Sequence, residues 1–504
     1  MRPVYDVAAV RAAEDTVMAG LPEGALMERA ATGLADACAS LMRDLDLRLS
    51  GARVALLVGS GNNGGDTLYA GALLARRGAR VEAVLLGERA HPGGLEALLS
   101  AGGTTSALED AEHALMPADL VLDGIVGIGG RGPLRPEAAT CARLARESGA
   151  LVVAVDIPSG VDADTGAVAD DAAVVDADAT VTFGCLKPGL LLSPGRDRAG
   201  AVLLVDIGLD DALPTADLGA LDASDLVVAV PEPGVEDYKY SRGVVGVAAG
   251  SPRYRGAAFM ATGAARHGTA GMVHVLDRGD GLAQALVDEF WDIVIASAAP
   301  AAVTRATAWV VGPGLGVDAG GLSVLCDVLA VEAPVVVDAD ALRMLREEAP
   351  TAALAARRLP TVLTPHVGEF AALGYSPGEG SAEDRLGSAR SAARALGAVV
   401  VLKGPGTVIA SPSGTAYVDT WGTPDLGTAG SGDVLSGLMG ALLAGAAARG
   451  DVDDDAAALT AAAAVGLHGL AGRLAAHGGR PVTAPDIIAA LPDAIGLVRR
   501  GGEA

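Results

Sequence analysis

Three apolar runs in the first half of the chain share one design and limit what it can fold into. Arg53-Val54-Ala55-Leu56-Leu57-Val58-Gly59, Leu120-Val121-Leu122-Asp123-Gly124 and Leu151-Val152-Val153-Ala154-Val155-Asp156 are continuous rather than alternating, and each ends at a glycine or a carboxylate. A strand apolar on both faces must be covered on both faces, and helical stretches separate the runs. That pattern predicts an α/β domain with a mostly parallel sheet. Hydrophobic residues make up 51% of the chain but aromatics only 3%, so the core is built from Ala, Val, Leu and Ile. In such sheets ligands bind beyond the carboxyl ends of the strands. Asn62, Asn63, Asp66, Asp123, Asp156 and Ser159 all fall at such ends. Gly59, Gly61 and Gly64 satisfy the spacing of a dinucleotide-binding turn. Two amides and a carboxylate in Asn62-Asn63-Gly64-Gly65-Asp66 add polar groups that a plain pyrophosphate turn does not need. Oxygen ligands converging without Cys or His suit a hard or alkali cation.

The second half repeats the α/β character with different motifs. Its most informative stretch is Leu426-Gly427-Thr428-Ala429-Gly430-Ser431-Gly432-Asp433, followed by an apolar helical segment from Val434 to Ala448. A loop without side chains at a helix N-terminus offers backbone N–H groups to an anion, usually phosphate. A carboxylate beside a bound phosphoryl group can take the proton of an attacking hydroxyl. Further strand-end loops are Gly312-Pro313-Gly314-Leu315-Gly316, Asp338-Ala339-Asp340, Thr364-Pro365-His366-Val367-Gly368-Glu369 and Lys403-Gly404-Pro405-Gly406-Thr407. The chain has three lysines, Lys187, Lys239 and Lys403, so a lysine at a strand end before glycines and a threonine suits a nucleotide phosphate.

At 504 residues two or three domains are expected. Residues 213–236 lack a sustained period and carry Pro231-Glu232-Pro233-Gly234, so they are expected to link domains at 1–212 and 237–504. A net charge of −25 argues against nucleic-acid and anionic-membrane partners. Four scattered cysteines without metal-ligand spacing are expected to be reduced and inert. The N-terminus lacks an apolar signal region, and a cytoplasmic protein is expected. The apolar stretch from Ala456 to Gly472 is mostly Ala and Gly around His468 and reads as a buried helix rather than a membrane span.

Taken together, these motifs resemble the bifunctional NAD(P)H-hydrate repair enzymes, in which an epimerase domain is fused to an ADP- or ATP-dependent dehydratase domain. The resemblance rests on Asn62 to Asp66, Asp123 with the glycines after it, Asp156-Ile157-Pro158-Ser159-Gly160 and Phe183-Gly184-Cys185-Leu186-Lys187-Pro188-Gly189. In the second half it rests on Tyr254-Arg255-Gly256-Ala257-Ala258, the Gly312, Thr364 and Lys403 loops and Gly430-Ser431-Gly432-Asp433. It covers nearly the whole chain. It implies a Rossmann-like N-terminal domain and a ribokinase-like C-terminal domain, each with helices on both faces of a mostly parallel sheet. The hydrated dinucleotide would lie on Asn62, Asn63, Gly64, Gly65, Asp66, Asp156 and the loop Gly127, Ile128, Gly129, Gly130, Arg131, Gly132 and Pro133. Asn63, Asp123 and Ser159 would bind potassium. Lys403, Gly404, Pro405, Gly406, Thr407 and Gly432 would hold ADP with Mg²⁺, while Ala257, Gly316, His366 and Asp433 would face the hydrated nicotinamide. Asp433 and Asp156 would be the catalytic groups, and a homo-oligomer is expected. Ser60 and Thr67 stand where the family often has lysine and glycine. The alternative is a ribokinase-like small-molecule kinase carrying a non-catalytic nucleotide- or protein-binding N-terminal domain.

Overall fold

The computed structural model describes residues 1–501 apart from 88, 280, 298, 377–383 and 451. The chain forms two compact units, one of Pro3–Ala216 and one holding most of the chain from Asp217 onward.

The N-terminal unit carries a seven-stranded sheet. Its strands are β1 (Arg53–Val58), β2 (Arg80–Leu85), β3 (Thr104–Ser106), β4 (Leu120–Gly124), β5 (Leu151–Val155), β6 (Ala179–Phe183) and β7 (Ala201–Val205). They lie in the order β3-β2-β1-β4-β5-β6-β7, and all pairings are parallel. The continuous apolar runs have the expected cause. Val54, Leu56 and Val58 enter one core with Leu34, Cys38, Leu68 and Leu74. Ala55 and Leu57, one residue out of phase, enter a second core with Cys141, Ala142 and Ala145 of the helix Pro136–Ser148. The order reverses between β1 and β4, so the loops leaving those two strands diverge and open a crevice there.

The C-terminal unit is built around β8 (Leu218–Ala220), β9 (Val244–Ala248), β10 (Met272–Leu276), β11 (Ile293–Ala296), β12 (Ala308–Val311), β13 (Val335–Val337), β14 (Thr361–Leu363), β15 (Val399–Leu402), β16 (Val408–Ala410) and β17 (Ala416–Val418). These run β8-β17-β16-β15-β14-β13-β12-β9-β10-β11 across the sheet. Only β15–β16 and β16–β17 are antiparallel among the registered pairs of these strands. Again alternate residues serve opposite cores: Val245 and Val247 face one, Trp309 and Val311 the other. The helix Ser431–Arg449 is apolar all round and lies in the first of these cores. Small residues let it come close. A Cβ on Gly437 would stand 2.0 Å from the carbonyl oxygen of Ala261, and one on Gly440 2.1 Å from a methyl of Val310. This helix and Asp454–Ala476 are long and apolar enough to cross a membrane, but 72% and 83% of their apolar windows are buried in the protein. The expected buried helix around His468 is therefore a core helix.

Part of the stretch expected to link the domains is regular structure. From Asp217 onward, residues 213–236 belong to the C-terminal unit. Leu218–Ala220 pairs in parallel with Ala416–Val418, and Ala223–Ala229 is a helix closed by a capping box between Asp222 and Asp225. Elements of three and seven residues are shorter than the window over which a period can be read.

Candidate functional site

In the N-terminal unit the residues leaving β1, β4 and β5 meet at one end of the sheet. Gly59 and Gly64 make this possible. A Cβ on Gly59 would lie 1.9 Å from the Ile125 carbonyl oxygen, and one on Gly64 would lie 2.1 Å from that of Gly59. The helix Asn62–Arg76 starts here, so Asn62, Asn63, Gly64 and Gly65 form its first turn. Asn63 is buried, lies against Gly127, and its side-chain nitrogen has no hydrogen-bond partner among the described residues. Asp123 is fully buried. Its carboxylate accepts bonds from the Ser159 N–H (2.8 Å), the Ser159 hydroxyl (2.7 Å) and the Ile125 N–H (3.2 Å). Burial pushes Asp123 up to about 6, against the lowering effect of those bonds. Thr67 is buried and donates to the Asn63 carbonyl at 2.7 Å. A Cβ on Gly124 would meet the Thr67 hydroxyl at 1.9 Å, so threonine fills the space over that glycine.

Asp156 stands apart from this pair. Its φ of +67° is left-handed, which aspartate tolerates better than most residues. That turn aims its carboxylate at Lys187, whose Nζ donates to it at 2.7 Å and also to the Thr182 hydroxyl (2.9 Å) and the Phe183 carbonyl (2.8 Å). The Lys187 side chain is 1% exposed. Two further carboxyls feel this site. Burial first, and then the charges of Asp156 and Glu14, hold Asp66 well above the usual carboxylate range. Burial and then Asp156 raise Glu14, which projects from the helix Val7–Met18. Sequence reading placed Asp66 and Asp156 here but missed Glu14 and the ion pair to Lys187. The available signals were the scarcity of lysine and the place of Lys187 in the Phe183–Gly189 stretch. A cavity of about 1290 Å³ opens beside the strand ends and is lined by Gly59, Ser60, Gly130, Arg131, Gly132 and Pro133. A smaller one, lined by Arg11, Ile128, Gly129 and Arg131, adjoins it. The loop expected to hold the dinucleotide thus borders open space on both sides.

In the C-terminal unit Gly430, at φ +87°, is the N-cap of Ser431–Arg449, which places Gly432 and Asp433 in the first helical turn. The side chain of Lys403 comes to the same point: its Nζ would be 3.4 Å from a Cβ on Gly432. Lys403 bonds to Asp338 at 2.8 Å and lies 4.0 Å from Glu369. Asp433 is raised to about 7, mainly by burial, then by the charge of Asp338, against the lowering effect of Lys403. A base of that affinity is half ionised near neutrality. Ser431 is buried with its hydroxyl 3.2 Å from Nε2 of His468, which burial pushes down to about 4. Gly404 and Thr407 are tied by a bond from the Thr407 hydroxyl to the Gly404 carbonyl at 3.0 Å. Ala257 sits in the first turn of Arg255–His267 against Gly314, and Gly316 donates its N–H to Asp340 at 2.9 Å. His366 is the N-cap of Val367–Ala372 in a capping box with Glu369, with its own side chain 61% exposed. Asp338 and Ser436 were not among the expected site residues; their place became visible only when β13 and the helix from Ser431 were brought together.

The chain is similar to known proteins over both units. Residues 23–189 match the family model for the YjeF-related protein N-terminus, and residues 245–493 that for NAD(P)H-hydrate dehydratase. The bifunctional NAD(P)H-hydrate repair enzyme Nnr of Mycobacterium leprae is 48% identical over 448 residues, 88% of this chain and 89% of that protein. The enzyme of the same name from Mycobacterium tuberculosis is 47% identical over 90% of this chain and 91% of its own. That of Corynebacterium glutamicum is 34% identical over 99% of each. Among solved structures, an ADP/ATP-dependent NAD(P)H-hydrate dehydratase from Bacillus subtilis, co-crystallised with ATP and Mg²⁺, aligns at 24% identity and a TM-score of 0.45, over 56% of this chain and 98% of that one. With both family models in tandem and such relatives along nearly its full length, the chain belongs to the bifunctional NAD(P)H-hydrate repair enzymes.

Proposed function

We propose that the C-terminal unit dehydrates the S form of NAD(P)H-hydrate by phosphoryl transfer from ADP, and that the N-terminal unit interconverts the R and S forms so that both are recovered. The observation that carries the dehydratase reading is Asp433, raised to about 7 and set in the first turn of a helix beside Lys403. The damaged cofactor has a hydroxyl next to a ring nitrogen, and hydroxide is a poor leaving group. Asp433 takes the hydroxyl proton as its oxygen attacks the terminal phosphorus of ADP, which arrives as its magnesium complex, and AMP departs. Lys403 and the backbone N–H groups at the helix start stabilise the charge on the phosphoryl oxygens. The phosphate then leaves with its C–O electron pair, the neighbouring ring carbon loses a proton, and the dihydropyridine is restored. Gly316, Ala257 and His366 face the nicotinamide in this reading, and Gly404, Pro405, Gly406, Thr407 and Gly432 the nucleotide.

In the N-terminal unit Asp156 moves protons at the ring carbons, so that the hydroxyl is lost from one face and regained on the other. Lys187 holds the Asp156 carboxylate in place. Asp66 and Glu14, whose proton affinities are raised first by burial and then by neighbouring carboxylates, stand beside it as proton donors. Asn63, Asp123 and Ser159 suit the potassium ion implied by the family: each can offer a side-chain oxygen, and Asp123 has no cationic side chain paired with it among the described residues. Bound there, the ion would supply positive charge beside the dinucleotide phosphates. We place the enzyme in the cytoplasm, with small-molecule ligands only, as a homo-oligomer.

The test is a mixture of both NADH-hydrate epimers, with ADP or ATP and Mg²⁺, in potassium and in lithium buffers. Full return of NADH absorbance with ADP and potassium, faster than the epimers interconvert unaided, is the expected result. Conversion stopping at the S fraction would remove the epimerase assignment. A phosphorylated product accumulating in place of free phosphate would point instead to a kinase.

A further inference from the structure

Strand β13 ends in a turn that the proposed chemistry leaves unused. Ala339 has φ +49°, a left-handed conformation that a residue with a Cβ rarely adopts. It lets two carboxylates, one residue apart on either side, serve different parts of one site. Asp338, 1% exposed, accepts from Lys403 Nζ at 2.8 Å through one oxygen and from the Ser436 hydroxyl at 2.5 Å through the other. Ser436 lies on the same helix as Asp433, one turn further on, and its hydroxyl also reaches the Gly432 carbonyl at 3.0 Å. Asp340 accepts the Gly316 N–H at 2.9 Å and so fixes the loop expected to face the nicotinamide. We propose that the Asp338-Ala339-Asp340 turn is a positioning element of the dehydratase: through Lys403, Ser436 and the Gly316 N–H it orders the lysine, the helix that carries Asp433 and the Gly316 loop at once.

The groups around Asp433 give the sign. Asp338 and Asp340 face it from this turn, Glu369 from the helix Val367–Ala372, and Lys403 from the end of β15. His468, on Asp454–Ala476, contacts Ser431 and is neutral across the working range. The three carboxylates raise the proton affinity of Asp433, and Lys403 lowers it. Removing the Asp338 charge removes a repulsion. It also frees Lys403 to turn to Asp433, so both effects make Asp433 a weaker base.

The proposal rests on Asp433 as the base, and the experiment separates the two. The pH dependence of kcat for dehydration is measured for the parent, Asp433→Asn, Asp338→Asn and Asp340→Asn. Asp340→Asn retains an oxygen for the Gly316 N–H and loses only the charge, so it also guards against a failure of Asp338→Asn to fold. The parent should lose activity on acidification through about pH 7. The midpoint should fall by about one pH unit or more in Asp338→Asn and by less in Asp340→Asn. In Asp338→Asn the KM for ADP should also rise. Lower rates with unmoved midpoints in both asparagine variants would overturn the proposal and leave the base intact. An acid limb surviving in the residual activity of Asp433→Asn would overturn the base itself.

Discussion

Replacing Asp433 by asparagine slows dehydration by about 10²–10⁴-fold, the usual contribution of a positioned general base, while ADP still binds. In the proposed site the nucleotide lies on the Lys403 loop and the helix N-terminus, neither of which needs the Asp433 side chain. The same substitution stabilises the protein in alkali. In the native state Asp433 keeps its proton up to about pH 7, whereas an unfolded chain releases it near the ordinary aspartate value of 3.8. Between those values the native protein binds more protons than the unfolded one, so stability falls as pH rises through that window. Above it the buried anion costs about 2 kcal/mol once its partial exposure is discounted. Asp433→Asn should therefore resist urea better than the parent near pH 8, with the difference gone near pH 4. A variant that dehydrates at the parental rate would end the assignment. Equal stability near pH 8 would end the electrostatic account of it.

Lys187→Met is expected to have the largest effect on the N-terminal unit. Among the described residues it leaves the Asp156 carboxylate, 11% exposed, with the Thr182 hydroxyl and the Phe183 N–H as partners. Breaking a buried pair by removing one member costs about 3–5 kcal/mol. Epimerisation should be lost as well, so that conversion of mixed epimers stops at the S fraction. Adding Asp156→Asn should restore part of the stability and none of the activity, because it removes the stranded charge. Asparagine is chosen because it tolerates the left-handed backbone at this position. Denaturation followed by a probe in the N-terminal unit measures both variants. A single variant as stable as the parent would mean that Lys187 does not hold Asp156 in solution.

Much of both sites was legible because backbone chemistry leaves clear marks in sequence. Glycines at Gly59, Gly64 and Gly430 are demanded by close approach or positive φ, and their spacing announces where the loops tighten. Asp433 and Lys403 could each be picked out because each stands beside a strongly patterned stretch, and the structure adds that they meet. Glu14 could not, since a glutamate on an amphipathic helix looks like any solvated acid until the helix is placed over Asp156. Lys187 was conspicuous by rarity and by its motif, but its partner lies 31 positions away, on the loop leaving a neighbouring strand. Asp338 was seen as a strand-end carboxylate, but its bond to Ser436 spans 98 positions and depends on how the catalytic helix packs. For His366 the sequence left a capping role open beside a pocket, and the structure shows the capping box with Glu369.

The paucity of lysine has a practical consequence once the positions are known. Of three lysines, Lys187 is sealed under Asp156 and Lys403 is 20% exposed, while Lys239 is exposed on the surface. A brief pulse of an acylating reagent therefore marks Lys239 and the terminal amine first. Later adducts act as timed reporters: one at Lys187 records opening of the N-terminal unit, and one at Lys403 records the C-terminal site, where ADP should slow the reaction. A single digest read by mass would follow the breathing of both halves of the enzyme in the same tube.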